Sequence, residues 1–404
     1  MSSVSVDPKQ VEWFLTHAVE TVYPTREALR ERLLSGQKLT VYHGIDPTGP
    51  TLHLGHTVPL RKLSELQKLG HKVILLIGDF TAMIGDPTDK AATRKKLTRE
   101  EVLENCKLYK QQASFLLDFD GPNAAEFRFN SEWLAKMSFA DVVELASHFT
   151  VQQMMERDMF EKRMEEGKPI HLHEFFYPLM QGYDSVALEV DLEIGGNDQT
   201  FNMLAGRTLL KTLKHKEKFV LTNRLLADPT GKKMGKSEGN MLALTDDPKD
   251  AYGKVMSWTD EMIVPGFEIC TQKTEDDMKE VKAALERGEN PIVWKKELAR
   301  LVVEGIFGEG AATMASEEFV RVHAQGEKPE EIPALSVSGS MALADVLVEA
   351  GFVASKTDAR RQIEQGGVKV NDEVVTDVKA MVEPTNEGTI IQKGKRHFVK
   401  IIQR

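Results

Sequence analysis

The chain has 404 residues, of which 41% are hydrophobic and 28% charged, so we expect two or three globular domains with buried cores. Its formal net charge of −10 argues against a surface that is basic throughout and coats nucleic acid. The two cysteines, Cys106 and Cys270, lie far apart and have no Cys or His at metal-ligand spacing, which argues against a disulfide framework and a zinc site and favours a cytoplasmic location.

The N-terminal part shows no targeting signal, and from about Lys38 the pattern is that of an α/β domain. The first residues, MSSVSVDPKQVEWF, lack a basic start followed by an apolar stretch, so we expect no secretory signal. The runs LTVYHGI and KVILLIGD predict parallel strands, joined by a helix that begins near Gly55 and ends at Gly70. The apolar run from Val73 to Ile77 favours a strand covered on both faces and is too short to span a membrane.

Two further strands extend the predicted sheet. They are the runs VDLEIGG and KFVLTNRLL, with a helix, DQTFNMLAGRTLLKTL, between them. From about 100 to 184 the sequence is rich in helix patterns, which indicates an insertion between the two halves of the sheet. Residues 1–245 are therefore predicted to form a doubly wound, Rossmann-like α/β domain.

Two smaller domains are predicted to follow. Helix spacing in EDDMKEVKAALERG and NPIVWKKELARLVVEGIF predicts an all-helical domain over 246–326. The acidic, proline-containing run EKPEEIP predicts a linker over 327–336. Residues 337–404 predict a small α+β domain with two short helices and two hairpins, which turn at Asn371–Asp372 and at 393–395.

The last domain is less acidic than the rest of the chain. From Ala334 to Arg404 there are ten Lys or Arg and nine Asp or Glu, and the final twelve residues hold five basic groups and no acid. A local basic patch can contact phosphates even on an acidic protein. Charge alone favours a solvated tail, so RNA contact needs independent support.

The first motif with chemical content is His53-Leu54-Gly55-His56, which follows a predicted strand and opens a helix. Nucleotides bind at this position in α/β sheets, where the helix N-terminus attracts anions. The glycine allows a nucleotide to approach closely, and the two imidazoles can donate hydrogen bonds to phosphate oxygens in a transition state. A capped helix with two chance histidines would give the same string, so the motif does not decide by itself.

The second motif is Lys233-Met234-Gly235-Lys236-Ser237, within DPTGKKMGKSEGN. Its lysines lie among glycines and could neutralise a triphosphate. An exposed charged loop without a role in phosphate binding would have the same sequence pattern.

The two motifs together resemble the paired signatures of the class I aminoacyl-tRNA synthetases. The first follows the first strand and the second follows the last strand of one α/β domain, in the order of that family. Adenylyltransferases for pantetheine phosphate and nicotinamide mononucleotide share the first motif, but they are much smaller and lack the second in this arrangement. The resemblance covers nearly the whole chain.

A third group of residues resembles the amino-acid pocket of the bacterial tyrosyl-tRNA synthetases. Tyr42 precedes the first motif, and EFFYPLMQGYD carries Tyr177, Gln181 and Asp184 at spacings that place them on one helix face. A helix face with a few satisfied polar groups in a core has the same spacing. The resemblance implies that Asp184 and Tyr42 hold the phenol hydroxyl of tyrosine. A buried carboxylate that accepts a hydrogen bond from the substrate hydroxyl discriminates strongly against phenylalanine, because phenylalanine leaves the carboxylate without that partner.

The resemblance also implies roles for further residues. Tyr177, Gln181 and Asp86 would hold the α-ammonium of tyrosine, with Gln199 of IGGNDQ beside them. Lys90 and Arg94 would stabilise the leaving pyrophosphate, and His53, His56, Lys233 and Lys236 the reacting phosphates. ATP binding is implied for the following residues: His43, Asp46, His53, Gly55, His56, Asp198, Lys233, Met234, Lys236 and Ser237.

The C-terminal run DVLVEAGFVASKTDARRQIEQGGVKVNDEVV resembles a small RNA-binding domain shared with a ribosomal protein. It implies phosphate contacts for Lys356, Arg360, Arg361 and Lys369. The expected partners are tRNA(Tyr), L-tyrosine, ATP carrying Mg²⁺, and a second copy of the chain in a homodimer. Neither zinc nor a membrane is expected.

Three positions depart from the family pattern. His43 stands where a smaller residue, often cysteine, contacts the ribose, and Glu193 stands where glutamine is common. Gly235 replaces the usual serine of the lysine motif. These changes bear on the ribose contacts and on the lysine motif more than on the reaction class.

Two alternatives stay open at this point. Tryptophanyl-tRNA synthetases share the fold and both signatures, but Tyr42 with Asp184 and the C-terminal domain favour tyrosine. A non-catalytic RNA-binding relative would be expected to have lost the motif histidines or lysines. His53, His56, Lys233 and Lys236 are all present, which favours the enzyme.

Overall fold

The structure is a computed structural model that describes residues 4–87, 97–227, 241–323, 332–353, 355–385, 388–394 and 397–403. The chain forms two compact units, one of Met1–Asp247 with Lys254–Ile306 and the other of Pro248–Gly253 with Phe307–Arg404. The helical region predicted over 246–326 is thus divided between the units. In the described ranges, no helix has the length and apolar character needed to traverse a bilayer.

A six-stranded sheet forms the centre of the first unit in the part of the chain that the structure describes. Its strands are β1 (Val19–Tyr23), β2 (Thr40–Ile45), β3 (Lys72–Ile77), β4 (Glu126–Phe129), β5 (Leu192–Gly196) and β6 (Phe219–Asn223). The strand order is β1-β6-β5-β2-β3-β4. The last five run parallel, and β1 pairs antiparallel with β6 at one edge. The predicted doubly wound α/β fold is therefore confirmed.

The edge strands β1 and β4 were not predicted. Strand β4 lies inside the segment predicted as a helix-rich insertion, and it pairs parallel with β3. Its four residues remain half-buried, because an edge strand has a neighbour on one side alone. A run this short carries too little periodicity to be recognised in a sequence.

Helices surround the sheet and make up most of the insertion. Those before β6 are α1 (Pro8–Thr16), α2 (Arg26–Leu34), α3 (Leu54–Lys68), α4 (Thr81–Ile84), α5 (Arg99–Cys106), α6 (Tyr109–Ala113), α7 (Ser131–Leu134), α8 (Phe139–Ser147), α9 (Val151–Met155), α10 (Asp158–Glu165), α11 (Phe176–Leu188) and α12 (Thr200–Lys214). Short 3₁₀ turns span Leu172–Phe175 and Asn197–Gln199. The predicted helices near Gly55 and at DQTFNMLAGRTLLKTL correspond to α3 and α12.

The packing of α3 on the sheet fixes the position of the first motif. Leu60, Leu63 and Leu66 of α3 are fully buried in the same core as Val73 and Leu75 of β3. Each leucine buried in this way contributes about 1.5–3 kcal/mol. The helix is followed by Gly70 with φ of 93°, the left-handed conformation expected of a glycine after a helix end.

The sequence after the sheet is helical, as predicted. Its helices are α13 (Pro248–Met256), α14 (Ile263–Cys270), α15 (Glu275–Glu286), α16 (Pro291–Phe307) and α17 (Glu309–His323). A 3₁₀ turn, Asp260–Met262, precedes α14. The N-terminus of α15 is closed by a capping box, in which Thr274 accepts from the Asp277 amide and Asp277 accepts from the Thr274 amide.

The C-terminal part of the second unit is a small α+β domain. Its elements are β7 (Ala334–Val337), β8 (Met341–Ala342), α18 (Leu343–Glu349), α19 (Lys356–Glu364), β9 (Val368–Val370), β10 (Glu373–Val374), β11 (Met381–Val382), β12 (Thr389–Lys393) and β13 (His397–Gln403). Five of the described strands form a sheet in the order β10-β9-β12-β13-β7. Helices α18 and α19 bury Leu343, Leu347 and Ile363 in one core with Val368 of the sheet.

Both predicted hairpins of this domain are confirmed. In the first, Val370 pairs with Glu373, and the two intervening residues, Asn371 and Asp372, have φ of 47° and 72°. A two-residue turn with both residues left-handed matches the twist of the strands, and Asn and Asp tolerate it well. In the second, β12 pairs antiparallel with β13, from Thr389 opposite Ile401 to Lys393 opposite His397.

Candidate active site

The first motif lies at the N-terminus of α3, after the carboxyl end of β2. His53 is the N-cap residue, and its Nδ1 accepts from the Gly55 amide at 3.1 Å. The His53 amide in turn donates to Nδ1 of His56 at 3.1 Å, and the ring centroids are 3.9 Å apart. A Cβ at residue 55 would lie 3.0 Å from His53 Cε1, so the glycine leaves room for this ring.

Burial sets the charge of both histidines, and the hydrogen bonds to Nδ1 set the tautomer. Burial lowers the pKa of His53 to about 4 and that of His56 well below its ordinary value, with His53 and His43 lowering the latter further. Both rings are therefore neutral at pH 7. Because each Nδ1 accepts a hydrogen bond, each proton is on Nε2. The motif presents two neutral N–H donors at the positive end of a helix, which suits contact with phosphate oxygens.

Asp184 is buried on α11 and held by two donors. Its Oδ1 accepts from the Trp133 indole at 2.8 Å, and its Oδ2 accepts from Nδ2 of Asn130 at 3.3 Å. Burial raises the pKa of Asp184, and the two hydrogen bonds act in the opposite direction. Tyr42 of β2 is also buried, and its hydroxyl lies 3.0 Å from Oγ of Ser185. Burial raises the pKa of Tyr42, and the charges of Glu193 and Asp184 raise it further, so Tyr42 and Asp184 share one environment.

A chain of hydrogen bonds leads from Asn130 to Tyr177. Nδ2 of Asn130 donates to Oγ1 of Thr81 at 3.0 Å, and that hydroxyl donates to Oδ1 of Asp46 at 2.7 Å. The hydroxyl of Tyr177 donates to Oδ2 of Asp46 at 2.9 Å. Asp46 follows β2, Thr81 follows β3 and Asn130 follows β4, so the carboxyl ends of three parallel strands contribute to one polar cluster.

Asp86 has an orientation fixed by side chains from two other segments. Its Oδ2 accepts from Nε2 of Gln199 at 2.7 Å, and Oε1 of Gln199 accepts from Nδ2 of Asn202 at 2.9 Å. Nη2 of Arg157 lies 3.8 Å from Oδ1 of Asp86, and the guanidinium stacks over the Phe201 ring at 5.0 Å. The result is a carboxylate that is mostly buried yet positioned to pair with a cation.

Gln181 is linked to a buried ion pair. Its Nε2 donates to Oε1 of Glu193 at 3.2 Å, and Glu193 is paired with the ammonium of Lys218. Lys218 also donates to Ser185 at 2.8 Å. Thus Gln181 on one side and Tyr42, through Ser185, on the other are tied to the same pair.

His43 presents an acceptor near the histidine motif. Its Nδ1 donates to the Ile194 carbonyl at 2.8 Å, and burial lowers its pKa to about 4. The neutral ring therefore has an unprotonated Nε2, which is buried and has no hydrogen-bond partner among the described residues. Asp198 lies in the 3₁₀ turn after β5, where a Cβ at Gly196 would come within 2.5 Å of its Oδ1.

Some predicted site residues lie outside the described residues: Lys90, Arg94, Lys233, Met234, Lys236 and Ser237, together with Gly235. Their roles remain predictions from the sequence. Within the described ranges, no three His, Cys, Asp or Glu side chains form a group that could hold a metal ion.

The predicted RNA contacts lie in the C-terminal domain. Lys356 and Arg360 are exposed on α19, and Lys369 is half-buried on β9. Lys356 is paired with Asp345 at 2.8 Å, and Arg361 is paired with Asp358. Both pairs involve largely exposed cations, so they are weak enough for a phosphate to compete with the carboxylates.

Several residues of the site were not found from the sequence: Thr81, Asn130, Trp133, Arg157, Ser185 and Lys218. A signal existed for Thr81 and Asn130, because each is a polar residue soon after the carboxyl end of a parallel strand. Trp133 and Lys218 carry no local pattern that distinguishes them from ordinary core and surface residues. Their roles come from contacts with residues far along the chain.

Comparison with protein families gives two matches. Residues 34–324 match the family model for class I tRNA synthetases (W and Y). Residues 324–401 match the tyrosine–tRNA ligase SYY-like C-terminal domain. Together the two matches span the histidine and lysine motifs and the small α+β domain.

Relatives that are tyrosine–tRNA ligases match this chain over most of their length. A tyrosine–tRNA ligase of Carboxydothermus hydrogenoformans is 46% identical over 384 residues, which are 93% of each chain. One of Thermotoga maritima is 44% identical over 97% of each chain. Among solved structures, a tyrosyl-tRNA synthetase from Archaeoglobus fulgidus complexed with L-tyrosine matches 77% of this chain and 100% of its own, with a TM-score of 0.60 and 23% identity. At that identity the structural match shows the fold.

Proposed function

The chain belongs to the class I tRNA synthetases (W and Y), and on that premise we propose that it is a tyrosine–tRNA ligase. It activates L-tyrosine with ATP and then transfers the tyrosyl group to tRNA(Tyr). Tyrosine over tryptophan is supported by the 44–46% identity to tyrosine–tRNA ligases and by the match of the C-terminal domain. The observation in the site that supports tyrosine most directly is the buried carboxylate of Asp184, which is held by Trp133 and Asn130. A buried carboxylate is well satisfied by a phenol hydroxyl and poorly by the apolar ring of phenylalanine.

In the first step, a carboxylate oxygen of tyrosine attacks the α-phosphorus of ATP. The bond between the α-phosphorus and the bridging oxygen breaks, pyrophosphate leaves, and tyrosyl-adenylate remains. No general base is required, because the nucleophile is already an anion. Catalysis then consists of positioning and charge stabilisation.

The histidine motif supplies donors for this step. His53 and His56 are neutral and carry their protons on Nε2, so they donate hydrogen bonds to phosphate oxygens without the cost of burying a cation. Lys233 and Lys236, with Lys90 and Arg94, add positive charge near the departing pyrophosphate. Mg²⁺ enters as part of the ATP substrate.

The tyrosine is held at both ends in this proposal. Tyr42 and Asp184 bind its phenol hydroxyl, whereas Asp86, Tyr177 and Gln181 bind its α-ammonium. The carboxylate of Asp86 supports the second role, because Gln199 orients it from one side. Tyr177 supports it through Asp46, to which its hydroxyl donates.

The nucleotide contacts follow from the same geometry. His43 offers a buried Nε2 acceptor that suits a ribose hydroxyl, in a position where a smaller side chain is usual in this family. Asp198 offers a carboxylate for a second ribose hydroxyl. Gly55 leaves the helix N-terminus open to close approach of the nucleotide.

In the second step, a hydroxyl of the terminal adenosine of tRNA attacks the carbonyl carbon of tyrosyl-adenylate, and AMP leaves. The C-terminal domain binds the tRNA backbone through Lys356, Arg360, Arg361 and Lys369. The match of residues 324–401 to a tyrosine–tRNA ligase C-terminal domain supports this role.

A homodimer is part of the proposal. The insertion of the first unit exposes several large apolar side chains: Phe139 by 84%, Val143 by 53%, Val151 by 72% and Leu172 by 72%. We name these four residues the insertion patch. Large apolar side chains exposed to this extent often belong to an interface, and a second copy of the chain covers these four residues in this proposal.

The proposed location is the cytoplasm, where tRNA is charged. The thiols of Cys106 and Cys270 are free and buried, which suits a reducing compartment.

Charging of tRNA tests the whole reaction. Purified enzyme, ATP, Mg²⁺ and bacterial tRNA are incubated with labelled tyrosine or labelled tryptophan, and label precipitated with tRNA is counted. Label from tyrosine alone supports the proposal. Label from tryptophan alone, or from neither amino acid, contradicts it.

A further inference from the structure

A buried lysine lies beneath the predicted tyrosine pocket. Lys218 precedes β6, its side chain is 0% exposed, and its ammonium is paired with Glu193, whose side chain is 3% exposed. The ammonium also donates to Oγ of Ser185 on α11 at 2.8 Å. No sequence motif includes Lys218.

Space for this ammonium is provided by the backbone of α12. A Cβ at Gly206 would lie 2.7 Å from Nζ of Lys218 and 2.7 Å from Oγ of Ser185. Any larger residue would therefore displace the contact between them. On the other side, Arg207 fixes the lysine backbone, because its Nε donates to the Lys218 carbonyl at 3.0 Å.

Stability alone is a weak reason for this arrangement. Removing both charges from water is costly, and buried ion pairs can often be replaced by apolar side chains of similar volume without loss of stability. An ion pair buried this deeply is better explained by a role in orienting the side chains that it contacts.

Both ends of the pocket connect to the pair. Oγ of Ser185, which Lys218 contacts, lies 3.0 Å from the Tyr42 hydroxyl. Oε1 of Glu193 accepts from the Gln181 amide at 3.2 Å. Tyr42 belongs to the proposed phenol end of the pocket and Gln181 to the proposed ammonium end.

The charges around Lys218 are consistent with this role. Burial lowers the pKa of Lys218, whereas the carboxylates of Glu193 and Asp184 raise it and Arg207 lowers it. The ammonium of Lys218 is paired with Glu193 and lies within electrostatic reach of Asp184, which connects the pair to the proposed phenol end of the pocket.

We propose that Lys218 is a positioning residue for tyrosine binding, which sets the Tyr42 hydroxyl through Ser185 and the Gln181 amide through Glu193. This inference rests on the proposed function. It also accounts for Glu193 at a position where glutamine is common in the family, because a buried lysine requires a carboxylate as its partner.

The decisive variant removes both charges together. Lys218→Met/Glu193→Gln removes the ion pair as a unit and leaves neither partner of the pair unpaired, so the protein is expected to remain folded. In tyrosine-dependent exchange of pyrophosphate into ATP, we expect the KM for tyrosine to rise about tenfold or more, since two binding groups lose their orienting hydrogen bonds. The KM for ATP should stay within about twofold of wild type. An unchanged KM for tyrosine would overturn the inference.

A matched control separates positioning from stability. Lys62 is likewise buried and bonded, to the Phe14 carbonyl of α1 and to Glu65 of α3, both at 2.9 Å. Lys62→Met should lower the melting temperature without changing the KM for tyrosine. A rise in that KM equal to the rise in the double variant would show that the effect is general loss of stability, and would contradict the inference.

Ser185→Ala provides a second route if the double variant does not fold. It deletes one hydroxyl between Lys218 and Tyr42 and leaves the ion pair in place. We expect a severalfold higher KM for tyrosine with unchanged KM for ATP, and wild-type values for both would overturn the inference. Wild-type enzyme that shows no tyrosine-dependent exchange would instead overturn the proposed function.

Discussion

The indole of Trp133 donates a hydrogen bond to Oδ1 of Asp184 at 2.8 Å, across 51 residues of sequence. The other oxygen accepts from Asn130. The carboxylate therefore cannot rotate freely, and its remaining lone pairs are directed by these two donors. In the proposed function, this fixed orientation is what allows Asp184 to recognise a phenol hydroxyl.

Trp133→Phe should weaken tyrosine binding selectively. The substitution removes the N–H donor and keeps an aromatic ring, so Asp184 loses one hydrogen bond while the packing is largely preserved. A hydrogen bond to a charged group contributes about 1.5–3 kcal/mol, so the KM for tyrosine should rise roughly 10- to 150-fold. Steady-state pyrophosphate exchange gives this value, and the KM for ATP serves as the internal control. A parallel rise in both constants would show that the substitution disturbs the whole domain.

His53→Asn should separate helix capping from catalysis. Asparagine can accept from the Gly55 amide in place of Nδ1, as asparagine is a good N-cap residue, but it cannot reach the phosphates as Nε2 does. We expect a melting temperature close to wild type and a rate of adenylate formation lower by about 10²–10³-fold. Single-turnover kinetics measure that rate. A variant with full activity would show that His53 acts as a helix cap and nothing more.

The buried histidines predict a loss of stability in acid. His71 is fully buried, its Nδ1 accepts from the Leu39 amide at 3.2 Å, and burial lowers its pKa to about 4. The unfolded chain has the ordinary value near 6.5 and so binds a proton first as the pH falls. This contribution to stability is complete above pH 6.5 and is lost progressively down to pH 4, with a slope of at most about 1.4 kcal/mol per pH unit.

His71→Asn tests this linkage. Asparagine keeps an acceptor for the Leu39 amide and does not titrate. The free energy of unfolding, measured by denaturant titration between pH 7.5 and pH 4.5 (roughly the window between the two pKa values), should fall less steeply for the variant. Curves of equal slope would mean that His71 is not held neutral in the folded state.

Phe139→Asp should disrupt the proposed homodimer. Phe139 is the most exposed member of the insertion patch, and a charge there opposes its burial against a second copy. Light scattering should show a dimer for wild type and a monomer for the variant. Leu108→Asp, at another exposed apolar residue outside the patch, is the control and should remain dimeric. A monomeric wild-type protein would contradict the dimer itself.

The parts of the fold that were predicted are those with strong local signals. Strand β3 contains a continuous apolar run, and β2 is a short, mostly buried run before the first motif. Helix α3 begins at that motif and is followed by Gly70, and the first C-terminal hairpin has a turn sequence suited to left-handed residues. The short edge strands β1 and β4 were missed because runs of four or five residues, most of them half-buried, give almost no periodicity. Their presence is decided by pairing with distant strands.

The residues of the candidate site likewise fall into those with a local sequence signal and those without one. Residues within motifs, such as His53 and Asp184, were identified by their neighbours in sequence. Lys218 was not, because a lysine is normally exposed and its burial follows from the packing of α12 against α11 and from the space left by Gly206. A buried polar network is a tertiary property, which no local pattern encodes.

Exchange of labelled pyrophosphate into ATP, with tyrosine, phenylalanine and tryptophan compared side by side, tests the central claim most directly. The proposed adenylation step and the hydroxyl-binding role of Asp184 predict exchange with tyrosine and almost none with the other two. Exchange with tryptophan in place of tyrosine would leave the class I chemistry intact and contradict the pocket assignment. No exchange with any of the three would contradict the proposed enzyme activity and favour a non-catalytic RNA-binding relative.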